Sequence, residues 1–72
     1  MNEKHFVQQI TIDEQVAEVK REIAMRQRLY PKWIEAGSMK KSKADFQILV
    51  MEAVLISLQE IAKQKAPQAG LF

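Results

Sequence analysis

The chain has 72 residues, no cysteine, 47% hydrophobic residues and a formal net charge of +2. A single core of this size rarely supplies more than ~3–5 kcal/mol of stability, so small domains are usually reinforced by disulfides, metal or association. Because there is no cysteine, disulfides and thiolate metal sites are excluded, which fits a reducing cytoplasm. Association is the stabiliser that remains.

Residues 1–10 are mostly polar, and we expect them to form a flexible N-terminal arm. His5 lies in this arm and is the only histidine of the chain. We interpret it as solvated and non-catalytic, because no second imidazole and no thiolate can join it at a metal. We also expect no signal peptide, because residues 1–15 lack a continuous apolar core.

A first amphipathic helix is predicted over about residues 12–36. Thr11 and Glu14 have the spacing of a capping box at its start, and Gly37 is a natural left-handed stop at its end. Pro31 removes an amide donor, which predicts either a kink near Tyr30 or a break after which the proline restarts a last turn. Its apolar residues lie in one stripe, and Trp33 lies at the edge of that stripe. The residues of the stripe are Ile12, Val16, Val19, Ile23, Tyr30 and Ile34.

A second helix is predicted over about residues 40–65, ending before Pro67. Either Ser42 caps it, with Asp45 three residues on, or it begins nearer Lys40. It is apolar on almost all sides, which is typical of a buried or assembled helix. Its broad seam contains Ala44, Ile48, Met51, Leu55, Leu58 and Ala62 and is widened by Val50, Val54 and Ile61, whereas a second seam on the opposite side contains Phe46, Leu49, Ala53 and Ile56.

The short connection between the helices predicts an all-α antiparallel two-helix hairpin over residues 11–65, followed by a tail, residues 66–72. The stripe of the first helix then packs on the broad seam of the second. The second seam stays uncovered within one hairpin, so we expect it to meet another subunit in a two-fold dimer that forms a four-helix bundle. Arg26 interrupts the stripe, and it either extends along the seam edge or pairs with Glu52 to fix the register.

Positive charge is concentrated around the hairpin tip. Eight basic residues and two acidic residues lie between Lys20 and Lys43. Lys40, Lys41 and Lys43, near Tyr30 and Trp33, are candidates for contacts with single-stranded nucleic acid, in which charges follow phosphates and rings stack on bases. An acidic protein surface would be attracted equally well. Tyr30 and Trp33 lie on the buried side of the first helix, where a place in the core explains both.

The middle of the chain resembles a group of small phage and prophage proteins. They share a Tyr-Pro-x-Trp segment, a glycine, and a later helix with Ala-Asp and Met-Glu-Ala. The matching residues, within about residues 18–58, are 21–26, 30–37, 44–45, Ile48 and 51–55. The resemblance implies a phage-derived protein in the cytoplasm of a bacterial host cell. It brings no catalytic residues, and small phage proteins of this kind commonly bind something of the host.

The last five residues, 68–72, are similar to the pentapeptide by which bacterial replication proteins dock on the sliding clamp. Gln68, Leu71 and Phe72 match that motif, and Ala69 replaces the leucine that usually follows the glutamine. A glutamine amide offers directional hydrogen bonds, and two adjacent apolar side chains fill an apolar pocket. The alternative is that Leu71 and Phe72 fold back on the end of the bundle or fray.

These patterns predict a protein without enzymatic activity, cofactor or membrane partner. There is one peripheral histidine, and none of the three serines has a base nearby. We predict a homodimer that binds a host or phage protein as inhibitor or adaptor, and docking on the sliding clamp through the tail is one form of this hypothesis. The predicted contact residues are Arg21, Met25, Arg28, Leu29 and Lys32. The alternative is a nucleic-acid-associated accessory protein that uses the basic tip.

Overall fold

The computed structural model describes residues 4–65. This part of the chain folds as a helical hairpin, preceded by a 3-10 turn at Val7–Gln9. Helix α1 spans Ile12–Glu35 and helix α2 spans Lys41–Lys65, so each predicted helix is one residue shorter than expected at the connection. The hairpin is a thin single layer with principal dimensions of 52 × 29 × 16 Å, and no strand occurs between residues 4 and 65.

The predicted capping box is present at the start of α1. The Thr11 hydroxyl accepts from the Glu14 amide at 3.1 Å, and the Glu14 carboxylate accepts from the Thr11 amide at 2.9 Å. The same carboxylate accepts from Lys4 Nζ at 2.8 Å, which links the N-terminal segment to α1. Because Lys4 and the Thr11 amide stabilise the charged form, the pKa of Glu14 lies below its ordinary value of 4.5.

The end of α1 forms a Schellman motif. The Ser38 amide donates to the Trp33 carbonyl at 2.9 Å and the Gly37 amide donates to the Ile34 carbonyl at 3.0 Å, which satisfies carbonyls left unpaired by the helix end. Gly37 has φ +82°, the left-handed conformation that glycine adopts without a steric penalty. The predicted stop is therefore confirmed.

Helix α1 passes through Pro31 without interruption. The predicted break at this proline is therefore wrong, because the helix is continuous before Pro31 and beyond it to Glu35. The predicted kink near Tyr30 stays a prediction.

Helix α2 begins earlier than a cap at Ser42 would allow. Its first residue is Lys41, and the Ala44 amide donates to the Lys40 carbonyl at 3.0 Å. Of the two predicted starts, the one near Lys40 is confirmed and the Ser42 cap is wrong. Asp45 instead forms an ion pair with Lys41, with Nζ 2.7 Å from Oδ2.

The core of the hairpin is small and lies between α1 and α2. Its buried apolar side chains, within the part of the chain that the structure describes, are Ile23, Tyr30 and Ala44. Most other members of the α1 stripe and the α2 seam are half-buried, which confirms the two faces that were predicted to meet. Val50, Val54 and Ile61, which were predicted to widen this seam, are 42%, 39% and 41% exposed, more than the half-buried members of the seam.

One polar cluster crosses the helix interface beside this core. The Tyr30 hydroxyl donates to Gln47 Oε1 at 3.1 Å, and Arg26 Nη1 donates to the Gln47 carbonyl at 3.2 Å. Arg26 Nε also donates to Glu22 Oε2 at 2.8 Å, one turn back on α1. Of the two alternatives for Arg26, the pair with Glu52 is therefore wrong, because the guanidinium binds Glu22 on its own helix and the Gln47 carbonyl on α2.

Candidate protein-binding surfaces

The outer face of α2, defined as Phe46, Leu49, Ala53 and Ile56, points away from α1. Phe46 is 64% exposed, Leu49 and Ile56 are each 61% exposed, and Ala53 is also exposed. Residues three and four apart are neighbours on a helix surface, so these side chains form one continuous apolar strip. The structure thus brings the four predicted interface residues together and leaves them uncovered by the hairpin.

The apolar surface of α2 extends beyond this strip. Val50, Val54 and Ile61 are also exposed, on the flank between the outer face and the core. Single exposed apolar residues are normal on soluble proteins, but a contiguous apolar patch marks an interaction site or an aggregation hazard. Fully burying each Leu, Ile or Phe contributes about 1.5–3 kcal/mol, so covering this strip would rival the small core in energy.

The predicted contact residues on α1 form a mixed basic and apolar ridge. Arg21, Arg28 and Lys32 are exposed, whereas Met25 and Leu29 are half-buried among them. Arg21 pairs with Glu18, with Nε 3.2 Å from Oε1, and both partners are well exposed. This pairing lowers the pKa of Glu18 and raises the pKa of Arg21. Part of the positive charge on the ridge is therefore already compensated.

The hairpin tip, residues 32–43, carries the predicted lysines on its surface. Lys40, Lys41 and Lys43 are all exposed, and Lys41 is the one engaged with Asp45. Tyr30 is buried as expected, with its ring centroid 5.6 Å from that of Trp33.

Trp33 does not belong to the core, contrary to the prediction, because it is 45% exposed. It lies at the edge of the α1 stripe, on the last turns of the helix. Its edge position in the helical pattern was the sequence signal for this exposure.

Two shallow grooves accompany these surfaces. One lies at the hairpin tip and is lined by Trp33, Ser38, Met39, Lys40, Lys43 and Gln47. The other lies between the N-terminal segment and the far end of α2, where residues 8–12 and Gln15 approach Leu58 and Ile61. Sequence reasoning missed this second groove, because it depends on how residues 4–10 fold back along the start of α1.

The remaining predictions concern metals, membranes and the tail. Residues 4–65 contain no group of three or more His, Asp or Glu side chains placed to hold a metal ion. Neither helix, over the same residues, combines the length and apolar character needed to cross a membrane. The clamp-motif residues Gln68, Leu71 and Phe72 lie outside the described residues.

No protein-family model matches the chain, and no curated protein and no solved structure matches it. The surfaces above are therefore the basis for inferring function.

Proposed function

We propose that this chain is a non-enzymatic, dimeric helical hairpin that acts by binding another protein, as an inhibitor or adaptor. The observation that carries the proposal is the uncovered apolar strip on the outer face of α2. A strip of this kind is stable in water when a second apolar surface covers it. The dimer would join two hairpins into a four-helix bundle and leave the basic ridge of α1 for the partner protein.

The spacing along the outer face favours a second copy of the chain as its occupant. The four residues follow one another at intervals of three, four and three, which is symmetric about the level of Met51. An antiparallel two-fold axis at that level would place Phe46 opposite Ile56 of the second copy and Leu49 opposite Ala53 of the second copy. A two-fold interface requires a self-complementary surface, and pairing a large with a small side chain allows close packing at its centre.

The ridge on α1 supports a protein partner with an acidic surface. Arg21, Arg28 and Lys32 surround the half-buried Met25 and Leu29, so the ridge combines positive charge with apolar contact area. Complementary charge accelerates association and selects partners, whereas buried apolar side chains supply affinity. The resemblance to small phage proteins supports a host or phage protein as that partner, and the clamp-like tail is a second route to the host replication machinery.

Dimerisation is tested by sedimentation equilibrium of the intact chain and of Leu49→Glu. We expect a dimer for the intact chain and a monomer for the variant, because a carboxylate would have to be desolvated at the centre of the interface. Ala17→Glu, at an exposed position of α1, is the matched control and should remain dimeric. A Leu49→Glu protein that keeps its helical circular dichroism and still forms dimers would contradict the proposal.

Partner binding is tested by affinity capture from nuclease-treated bacterial lysate with three forms of the protein. The forms are the intact chain, Arg21→Glu/Arg28→Glu, and a chain truncated after Pro67. Loss of one captured protein with the double variant alone would place its contact on α1, whereas loss with the truncated chain alone would place it on the tail. If the three forms capture the same proteins to the same extent, neither surface binds a partner.

A further inference from the structure

The groove at the hairpin tip is lined in part by a half-exposed aromatic ring. Trp33 is 45% exposed and stands next to Tyr30, which is buried and whose hydroxyl is held by Gln47 at 3.1 Å. The Arg26 guanidinium lies 5.9 Å from the centroid of the Tyr30 ring, on the way to the Gln47 carbonyl. Tyr30, the neighbour of Trp33, is thus held by a hydrogen bond to Gln47 and a contact with Arg26.

The polar groups that line the groove are mainly hydrogen-bond donors. Lys40 and Lys43 contribute ammonium groups, Ser38 contributes a hydroxyl, and no carboxylate is among the lining residues. Gln47 Oε1 already accepts from Tyr30, which leaves the amide nitrogen of Gln47 to donate. The first turn of α2 carries no acidic residue, so the positive end of its dipole adds to the potential of the lysines.

We propose that this groove binds single-stranded nucleic acid, with one base stacked on Trp33 and the adjoining phosphates near Lys40 and Lys43. An exposed ring beside cationic side chains is the arrangement that single strands use, because every base has a face that can stack. An acidic peptide would satisfy the lysines but has no flat group that requires Trp33. In duplex DNA the bases are stacked on one another and offer no free face to the indole.

This site goes beyond the proposed protein-binding role and uses different residues from the outer face of α2 and the ridge of α1. The structure also changes the set of residues expected from the charge pattern. Lys41 is paired with Asp45 and does not line the groove, whereas Trp33, Ser38 and Gln47 join Lys40 and Lys43 there.

Trp33 is the only tryptophan of the chain, so its fluorescence reports on the proposed site in the unmodified protein. We expect an oligothymidylate of about 12 nucleotides to quench this emission at about 20 mM salt, and the affinity to fall as salt rises. A polyglutamate peptide of similar charge and a duplex of the same length serve as comparison ligands. Both should quench far less than the single strand at equal charge concentration.

Variants are compared by fluorescence anisotropy of a labelled strand. Trp33→Ala should weaken binding roughly fivefold to a hundredfold, which is the effect of removing one stacking ring, whereas Trp33→Phe should retain most of the affinity. Lys40→Gln/Lys43→Gln should reduce the slope of log affinity against log salt by about 1.4, or about 0.7 for each phosphate contact. Lys63→Gln, an exposed lysine at the other end of α2, is the matched control and should bind as the intact chain does.

Three results would overturn the proposal. They are the absence of quenching by the single strand at about 20 mM salt, equal affinity of Trp33→Ala and the intact chain, and equal quenching by polyglutamate. The last result would reassign the groove to an acidic protein ligand. Circular dichroism of each variant shows whether a loss of binding is caused by a loss of folding. If Trp33→Ala unfolds, the affinity of Trp33→Phe, which retains an aromatic ring, still tests the proposal.

Discussion

The two helices of the hairpin differ in how much of their apolar surface is buried and in how well the charges and hydrogen bonds at their ends are matched. Helix α1 has one apolar stripe, which faces α2, and its start and its end both have their backbone groups satisfied by local hydrogen bonds. Helix α2 buries one seam against α1 but exposes the apolar outer face on the other side. Its first turn also carries lysines at the positive end of the helix dipole, where acidic residues are favoured.

This difference indicates that two features of α2 serve something outside the monomer. Apart from Pro31 in its interior and Arg26 within its apolar stripe, α1 obeys local rules from Thr11 to Gly37. Helix α2 departs from them in its apolar outer face and in its basic first turn, and such departures are expected at functional sites. The two departures lie in two of the three surfaces for which we propose binding, the outer face of α2 for a second copy of the chain and the tip groove for a nucleic acid strand. The third surface, the ridge of α1, involves no such departure.

The largest expected effect separates the core of the hairpin from the outer face of α2. Ile23→Ala removes a buried side chain, so we expect a loss of about 2–5 kcal/mol in the free energy of unfolding at any protein concentration. Ile56→Ala removes an exposed one and should reduce stability only at concentrations at which the dimer forms. Urea unfolding at two well-separated protein concentrations measures the free energy of unfolding of both variants.

Ile23→Val is the milder control for the first variant and should cost about 0.5–1.5 kcal/mol. If Ile56→Ala destabilises a dilute monomer as much as a concentrated sample, the outer face packs within one hairpin and the contrast between the helices is lost.

The fold was predictable because the features that determine it are local patterns in the sequence. The Thr11–Glu14 capping box, the stop at Gly37 and the two faces that meet between the helices all follow from residues close together in the chain. The capping box and the stop are satisfied by contacts with near neighbours, such as the Glu14 amide at 3.1 Å from the Thr11 hydroxyl. The two faces were predictable because helical spacing determines which residues share one side of a helix. The placement of the outer face followed from the same helical spacing.

The errors occur where competing partners or helix ends decide the outcome. A pair with Glu52 was one of two alternatives for Arg26, and Glu22, one turn away on the same helix, forms the ion pair instead. Trp33 and Val54 lie at the edges of their stripes, where a small rotation of a helix decides between burial and exposure. The tip groove could not be predicted, because it depends on the rotation of the last turn of α1 relative to Lys43 and Gln47.

A smaller effect is expected at the start of α1. Thr11→Ala removes the hydroxyl that accepts from the Glu14 amide and should reduce the free energy of unfolding by about 1 kcal/mol, whereas Thr11→Ser should retain it. Thermal unfolding of the two variants measures this. An equal loss in both would show that the threonine methyl group, and not the hydroxyl, stabilises the helix start.

The same helix start should respond to pH. The pKa of Glu14 is lowered in the fold by Lys4 and by the Thr11 amide, so its stabilising effect is present above the unfolded value and is lost as pH falls through the folded value. The melting temperature should therefore fall below about pH 4.5, and Glu14→Gln should show a smaller fall. Identical pH profiles for the two proteins would exclude Glu14 as a source of the acid response.

The smallest expected effect is a gain in stability at the start of α2. Lys43→Glu replaces a positive charge in the first turn by a negative one, which should stabilise the helix by about 0.3–1 kcal/mol at low ionic strength. The same substitution should weaken binding of a single strand, because it places a carboxylate in a groove that has none. A variant that is both more stable and weaker in binding would show that Lys43 is kept at a cost to the fold. If stability does not rise, the first turn of α2 carries no electrostatic strain, and the contrast between the two helices rests on the outer face alone.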